Sequence, residues 1–489
     1  SYFAVRLNQV PDNDFIKTFF NSTTRRIFGT KGSDPEIEFI SSSPSDDIHL
    51  IMSLNIRRYP YWVSLQRIFE TILDDFSFRI PYDDTSRNAK RIARMIKAHS
   101  KEYFSEDVEY IRFEFIDSFF YQAARAYLVG KLILSEGEAP IVIAFKNEYG
   151  GISVDAVFLH EKDISLIFGY TRSYYFADPN SVIGAVHFLK SLLPKKPIDE
   201  LYTVLGRLRQ GKTERYRTFT KHLSNTKDKF VYTEGDVGLV MIVFTLPSYN
   251  LVFKVIRDKF GYPKTISRHD VIYKYRLVSK HDRAGRMIDT QEFLNLEFPI
   301  NRFSKELLND LLENASTSVR KEGNTLLLKH VYIERRVRPL NLYINEYSFE
   351  EAASAVVDYG QAIKDLAKTN IFTGDLLLKN FGVTQHNRVI FYDYDEVSLV
   401  TECNFRDIPE ASKYEDEMQA DTWYFVGGND IFPEEFIRFL SMNDQLKEEF
   451  LKYHQDLLTS EYWRKVKNQH IKGDVSLVVP YTSTTAKLK

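Results

Sequence analysis

The sequence predicts an α+β fold in two parts: a mainly helical amino-terminal half with a small antiparallel sheet, and a bilobal carboxy-terminal half. Three observations predict it. A glycine pair, Gly235 and Gly238, precedes two consecutive apolar strands that begin at Val240. A strand from Leu326 to Ile333 leads to a helix opened by a Ser348/Glu351 capping box. Behind that helix, DLLLKNFGVTQHNRVIFYDYD (375–395) places two apolar runs around a turn, with acids and an amide at the ends.

In the amino-terminal half, SRNAKRIARMIKAHSKEYF (86–104) has the spacing of a basic amphipathic helix with a solvated charged face. DSFFYQAARAYLVGKLIL, EAPIVIAFKNEYGGISVDAVF and DISLIFGYTRSYYF read as a helix leading into antiparallel strands, with turns at Glu136 to Pro140 and Glu148 to Gly151. SNTKDK, near Ser224 to Lys229, reads as the linker, so the halves divide as 1–228 and 229–489.

The carboxy-terminal half opens with VYTEGDVGLVMIVFTLPSYNLVFKVIRD: a glycine loop, a strand, a turn at Pro247 to Asn250, and a second strand carrying Lys254. Glycine lets a backbone approach phosphate closely, and the amides of such a loop can donate to it. A lysine inside the apolar string LVFKVI is costly to bury unpaired, so it asks for an anion. Ser267 to Arg286 reads as a helix but contains no glutamate to pair with Lys254; Glu292, just beyond, is the substitute candidate. The strand to Ile333 runs into Glu334, Arg335 and Arg336, where an interlobe hinge falls in this order. Ala352, Val356, Ile363 and Leu366 then recur at helical spacing.

FGVT and RVIFY pair as a hairpin through Gln385, His386 and Asn387, because asparagine tolerates the left-handed backbone of tight loops. Asn380 then sits at the hairpin mouth beside Asp393. A carboxylate and an amide oxygen suit a hard cation on nucleotide phosphates, and Asp375 falls where an acceptor hydroxyl arrives. The arrangement is protein-kinase-like. Asp395, two residues past Asp393 on an extended segment, shares its face and is a second carboxylate able to activate water. Downstream, NFRDIPEASKYEDE is loop-like, with Glu415, Asp416 and Glu417 solvated, and EEFIRFLSMNDQLKEEFLKYHQDLLTSEYWRKVKNQ is helical and completes the large lobe.

Composition narrows the classes further. Of 489 residues, 65 are Lys or Arg and 67 Asp or Glu, so no global field points to nucleic acid or an anionic membrane. No apolar run approaches the roughly 20 residues of a membrane helix. The sole cysteine, Cys403, cannot form an internal disulfide and reads as a packed side chain in a reducing cytoplasm.

The strings VFTLPSYNLVFKVIRDKF, YRLVSKHDRAGRMIDTQEF, VYIERRVRPLN, NIFTGDLLLKNFGVT, VIFYDYDEV and NFRDIPE resemble, in order and spacing, the bacterial isocitrate dehydrogenase kinase/phosphatases. FFNSTTRRIF and AYLVGKLIL resemble that family's regulatory domain more loosely. The resemblance implies a kinase-like domain behind a regulatory one, and a bifunctional enzyme that phosphorylates and dephosphorylates a serine of isocitrate dehydrogenase. It further implies control of flux between the citric acid cycle and the glyoxylate bypass, one site using ATP (or ADP for the phosphatase reaction) with Mg²⁺, an AMP-type allosteric effector, and a cytoplasmic setting. It implies ATP-binding positions at Thr233, Glu234, Gly235, Asp236, Val237, Gly238, Leu239, Lys254 and Glu334. Asp375 falls on the family's kinase base, Asp289 on a second catalytic aspartate, Asp395 on an aspartate linked to dephosphorylation, and Asn380 and Asp393 on the metal ligands. The family's amino terminus extends further than Ser1, so a helical segment is expected ahead of it.

There is no HRD before Asp375, which follows Thr373 and Gly374, and no DFG, since Asp393 is followed by Tyr394 and Asp395. These departures count against a conventional eukaryotic-type kinase, not against phosphotransfer. An atypical kinase-fold phosphotransferase with another substrate, and a non-catalytic nucleotide-binding regulator, stay open on the residues alone.

Overall fold

The structure is a computed structural model that describes residues 13–32, 52–105, 108–122, 124–169, 175–235, 237–262, 264, 266–281, 284–374, 376–409, 424–474, 478 and 481. The described residues fall into two compact units, one of residues up to 227 with 295–297 and Tyr481, the other of residues 228–294 and 298–478.

The first unit begins with α1 (Asn13–Phe28), β1 (Ile56–Pro60), α2 (Leu65–Asp75) and α3 (Thr85–Tyr103). α3 covers the expected basic helix almost residue for residue. Asp84 caps it, accepting from the Arg87 amide at 2.8 Å. Ala89, Ile92, Ala93 and Ile96 form its buried stripe. There follow β2 (Tyr110–Ile116), β3 (Phe120–Gln122), β4 (Arg125–Leu134), β5 (Gly137–Glu148), β6 (Gly151–Phe158), α4 (Glu161–Ile167), β7 (Phe176–Ala177), α5 (Val182–Leu192), α6 (Ile198–Val204) and α7 (Leu208–Asn225). The seven strands form one sheet, β1-β2-β4-β3-β7, with β5 added on β4 and β6 on β5. Alternation splits its side chains between two cores. Leu128, Leu132, Ile141 and Ile143 pack with α2 and α3, while Tyr127, Val129, Val142 and Ala144 pack with residues of α4 to α6.

Two expectations fail here. DISLI (163–167), read with the antiparallel strands, lies in α4. DSFFYQAARAYLVGKLIL (117–134) is not a helix; it makes β3 and β4. β4 is paired along both edges, with β2 and β3 on one and with β5, its hairpin partner, on the other, so its backbone groups are satisfied by strand neighbours rather than within a helix. Gly130 fits that place, since a Cβ there would lie 2.3 Å from the Glu114 carbonyl oxygen.

The second unit begins with a six-stranded sheet built from β8 (Val231–Tyr232), β9 (Met241–Thr245), β10 (Leu251–Ile256), β11 (Gln291–Pro299), β12 (Val319–Glu322) and β13 (Thr325–Arg335). Its order is β11-β13-β10-β9-β8, with β12 on β13. The helix α8 (Arg268–His281) lies between β10 and β11, and α9 (Lys305–Asn314) between β11 and β12. α8 stops short of the expected Arg286. That residue is drawn into a separate buried network, its guanidinium donating to Asp358 at 2.8 Å, to Asp365 at 2.9 Å and to the Val389 carbonyl at 3.0 Å. Gly285 takes a φ of 62° in the turn that leads there.

The remainder holds β14 (Arg338–Pro339), α10 (Leu340–Glu346), α11 (Phe349–Ala367), β15 (Ile371–Phe372), β16 (Phe381–Val383), β17 (Val389–Phe391) and β18 (Ser398–Leu399). The helices α12 (Phe436–Phe439), α13 (Asp444–His454) and α14 (Ser460–Ile471) follow, where the sequence expected helices. α11 opens with the expected capping box, Ser348 and Glu351 each bonding the other's backbone. Its inner face, Ala352, Val356, Ile363 and Leu366, is buried under the β16–β17 hairpin and α13. Burying each large apolar side chain there contributes about 1.5–3 kcal/mol, so the hairpin rests on a stiff base. The acidic run Glu415 to Glu417 lies outside the described residues.

Candidate active site

The glycine loop spans the connection from β8 to β9. Gly235 takes φ 111°, which disfavours any side chain, and a Cβ on Gly238 would sit 2.4 Å from the Met241 carbonyl oxygen. Glu234 forms an ion pair with Arg338 of β14, Arg257 donates to the Gly238 carbonyl at 3.1 Å, and the Gly261 amide donates to Leu239 O at 3.1 Å. Asp236 lies outside the described residues.

Lys254 stands in the middle of β10, opposite Val243 of β9 and Tyr332 of β13. Its Nζ lies 2.7 Å from Glu334 Oε1 and donates to the Tyr392 carbonyl at 2.8 Å. The buried ammonium thus has a carboxylate and a carbonyl, which the strand pattern alone demanded. Thr290 Oγ1 donates to the other Glu334 oxygen at 2.8 Å. The side chain of Glu334 is therefore engaged within the protein. Glu292, the sequence-based candidate, pairs instead with His330 at 2.7 Å. The reason is register. Val252 faces Glu334 and Lys254 faces Tyr332, so Lys254 and Glu334 are diagonal neighbours on one face of the sheet.

The hairpin forms the other wall. Phe381 faces Phe391 and Val383 faces Val389, and Asn387 takes φ 56° in the turn, as the sequence requires. The Tyr392 amide donates to the Asn380 carbonyl at 3.1 Å, which fixes Asn380 directly across from the residue before Asp393. Tyr394 points into the core, its hydroxyl donating to Ile288 O at 2.8 Å, so Asp393 and Asp395 lie together on the opposite side. Enclosure first, and then the charge of Asp395, push the Asp393 carboxyl above the usual carboxylate range. A cation would draw it back to the ionised form. Among the described residues no group of three or more His, Cys, Asp or Glu forms a cation cage. Asn380 and Asp393 are nevertheless the sparse, hard oxygen donors that suit Mg²⁺, which keeps waters and phosphate oxygens as its other ligands.

Residues 286–289 run beside the hairpin. Phe391 N donates to Arg286 O at 2.7 Å and Ile288 N to Phe391 O at 3.0 Å, with Met287 bridging Phe391 in parallel. Asp289 follows Ile288 directly, one residue past the last of these bonds. Asp289 is buried and accepts from Gln291 Nε2 at 2.9 Å. Asp375 lies outside the described residues. Its neighbour Gly374 takes φ 73°, where a Cβ would lie 2.5 Å from the Glu396 carbonyl oxygen. The segment before Asp375 therefore rests on the segment after Asp395.

Lys254, Glu334, Asn380, Asp393, Asp395 and Asp289 are thus gathered around one hairpin. Sequence reasoning missed Lys264 and Lys274. Lys264 Nζ lies 3.2 Å from Asp395 Oδ2 and also pairs with Glu396, and Lys274 Nζ donates to the Asp395 carbonyl at 2.5 Å. Lys264 sits in an irregular connection, where no periodicity marks it. Lys274 lay within the expected helix, and only its neighbours reveal its target.

Residues 228–483 match the family model described as "Isocitrate dehydrogenase kinase/phosphatase (AceK) kinase domain", and residues 1–227 the one described as the AceK regulatory domain. An isocitrate dehydrogenase kinase/phosphatase of Xanthomonas euvesicatoria pv. vesicatoria (strain 85-10) is 44% identical over 492 residues, covering 99% of this chain and 83% of its own length. One from Anaeromyxobacter sp. (strain Fw109-5) is 43% identical over 480 residues, at 98% and 83% coverage. Among solved structures, the ROP18 kinase domain in complex with AMP-PNP and sucrose aligns with 54% of this chain and 90% of its own at 10% identity and a TM-score of 0.25, too distant to add to the fold described above.

Proposed function

The chain belongs to the isocitrate dehydrogenase kinase/phosphatase family, and from that premise we propose that it phosphorylates a serine of isocitrate dehydrogenase and removes the phosphoryl group again at one shared site. The observation that carries this reading is the reach of Lys254 from the strand sheet to the hairpin. Its ammonium joins Glu334 to the Tyr392 carbonyl, one residue from Asp393, so phosphate binding and cation binding meet at a single point.

In this reading residues 1–228 are regulatory and 229–489 catalytic. The loop from Thr233 to Leu239, with Gly235 and Gly238 at its bends, lies over the phosphates, and Lys254 holds them. Bound Mg-ATP supplies the phosphoryl group and much of the charge neutralisation. Asn380 and Asp393 hold the metal. Asp375 accepts the proton of the serine hydroxyl as its oxygen bonds to phosphorus, and orientation does most of the remaining work. For the reverse reaction, with ATP or ADP bound, Asp395 takes a proton from the attacking water. Asp289, which falls on the family's second catalytic aspartate, orients the same group. The family resemblance adds AMP or a similar nucleotide as effector. No helix among the described residues is long and apolar enough to cross a membrane, and we place the enzyme in the cytoplasm with its protein substrate.

The test is direct. The protein is incubated with Mg-ATP and isocitrate dehydrogenase while serine phosphorylation is followed; ATP is then replaced by ADP and phosphate release is followed. We expect transfer in the first stage and release in the second. No transfer to that enzyme would overturn the substrate assignment, and no nucleotide binding would overturn phosphotransfer itself.

A further inference from the structure

The segment between β10 and α8 touches both walls of the site. At one end the Gly261 amide donates to the Leu239 carbonyl of the glycine loop at 3.1 Å, and a Cβ on Gly261 would lie 2.8 Å from Leu239 Cδ2. Three residues on, the Lys264 amide donates to Gly261 O at 3.0 Å, so the turn is closed on itself. From that turn Lys264 reaches Asp395 at 3.2 Å and also pairs with Glu396, while Lys274 of α8 holds the Asp395 carbonyl at 2.5 Å. All of these side chains are largely enclosed, with 16% of Lys264 and 11% of Asp395 exposed, so the contact is not a solvent-screened surface pair.

We propose that Lys264 is a positioning residue for dephosphorylation: it fixes the orientation of Asp395 and ties that orientation to the glycine loop over the nucleotide. The inference rests on the assignment of Asp395 to the phosphatase reaction. In that reaction water oxygen bonds to phosphorus, the bond from phosphorus to the serine oxygen breaks, and the proton that Asp395 removes from water ends on the departing serine oxygen. Atoms and charge balance with no further reactant. A carboxylate free to rotate would meet water in the wrong geometry more often, and the loss falls on turnover rather than on substrate binding. Transfer to serine uses Asp375 as base and depends less on Asp395.

The variants K264M, K264R and D395N are compared in the full chain. The readouts are kcat and KM for phosphate release from phosphorylated isocitrate dehydrogenase with Mg-ADP, kcat for phosphorylation with Mg-ATP, and affinity for fluorescent ADP across a Mg²⁺ titration. For K264M we expect phosphatase kcat to fall about tenfold further than kinase kcat, with KM within about threefold of the parent. K264R, which keeps the charge, should regain at least about half of the phosphatase rate. Loss of the cation beside the metal ligands should also tighten Mg²⁺ binding, which a merely structural role would not do. Equal losses in both reactions, or an unchanged phosphatase rate, would overturn the proposal. Should K264M fail to bind ADP, K264Q takes its place with the same expectation. If D395N keeps full phosphatase activity, the assignment of Asp395 itself fails; if D395N loses it while K264M does not, only the role of Lys264 fails.

Discussion

Lys254 and Glu334 lie on neighbouring antiparallel strands and meet at 2.7 Å, with 6% and 3% of their side chains exposed. The pair takes the place of a lysine partnered by a helix glutamate, because α8 offers none. Removing one member of a buried pair leaves the other charged and unsatisfied, at a cost of about 3–5 kcal/mol.

The Lys254→Met variant should therefore lose both stability and nucleotide affinity. Thermal unfolding should shift down by several degrees, and ADP affinity, read by fluorescence titration, should drop about tenfold or more. The double variant Lys254→Met with Glu334→Gln should recover part of the stability but none of the affinity. Recovery of both would show that Lys254 serves only the fold.

Asp375→Asn should lower kinase turnover by about 10²–10⁴-fold, the usual worth of a positioned base, with ADP affinity unchanged. Undiminished phosphorylation of isocitrate dehydrogenase by this variant would refute the base assignment.

Asp393 gives a pH dependence with a definite sign. Its carboxyl is pushed up to about 7 in the folded protein, by enclosure first and the Asp395 charge second, from an ordinary value near 4. A group that binds its proton more tightly when folded contributes stability below the unfolded value, and that stability is lost as pH rises toward the folded one. The nucleotide-free protein should thus lose stability between about pH 4 and 7 at this residue, as measured by urea unfolding. Asp393→Asn should flatten the loss and abolish the Mg²⁺ dependence of ADP binding, and a steeper loss would contradict the assignment.

Arg286→Met should be among the more damaging substitutions remote from nucleotide. Arg286 is 3% exposed and binds Asp358 and Asp365 together. Burial opposes ionisation of Asp358, but the charge of Arg286 outweighs it and holds that carboxyl below its usual range. Losing the guanidinium strands two acids under the hairpin, at about 3–5 kcal/mol, visible as a lower urea midpoint. An unchanged midpoint would mean that the network is solvated in solution.

What the sequence determined by itself was local. The capping box at Ser348 and Glu351, the Asn387 turn, the strand–turn–strand around Pro247 to Asn250 and the pairing of Asn380 with the end of the second hairpin strand all depend on residues a few positions apart. Turn chemistry and periodicity act at that range, so these features were legible before any coordinate was known. The demand that Lys254 find an anion was legible too, because burial of an unpaired charge is too costly to leave unmet. Which anion was not. Glu334 rather than Glu292 follows from the register of β10 on β13, and the Tyr392 carbonyl that shares the ammonium is 138 residues away. The same limit hid Lys264, 132 residues from its partner Glu396. Local sequence fixes the conformations a segment can hold; which charges come to face each other is decided only when distant segments pack.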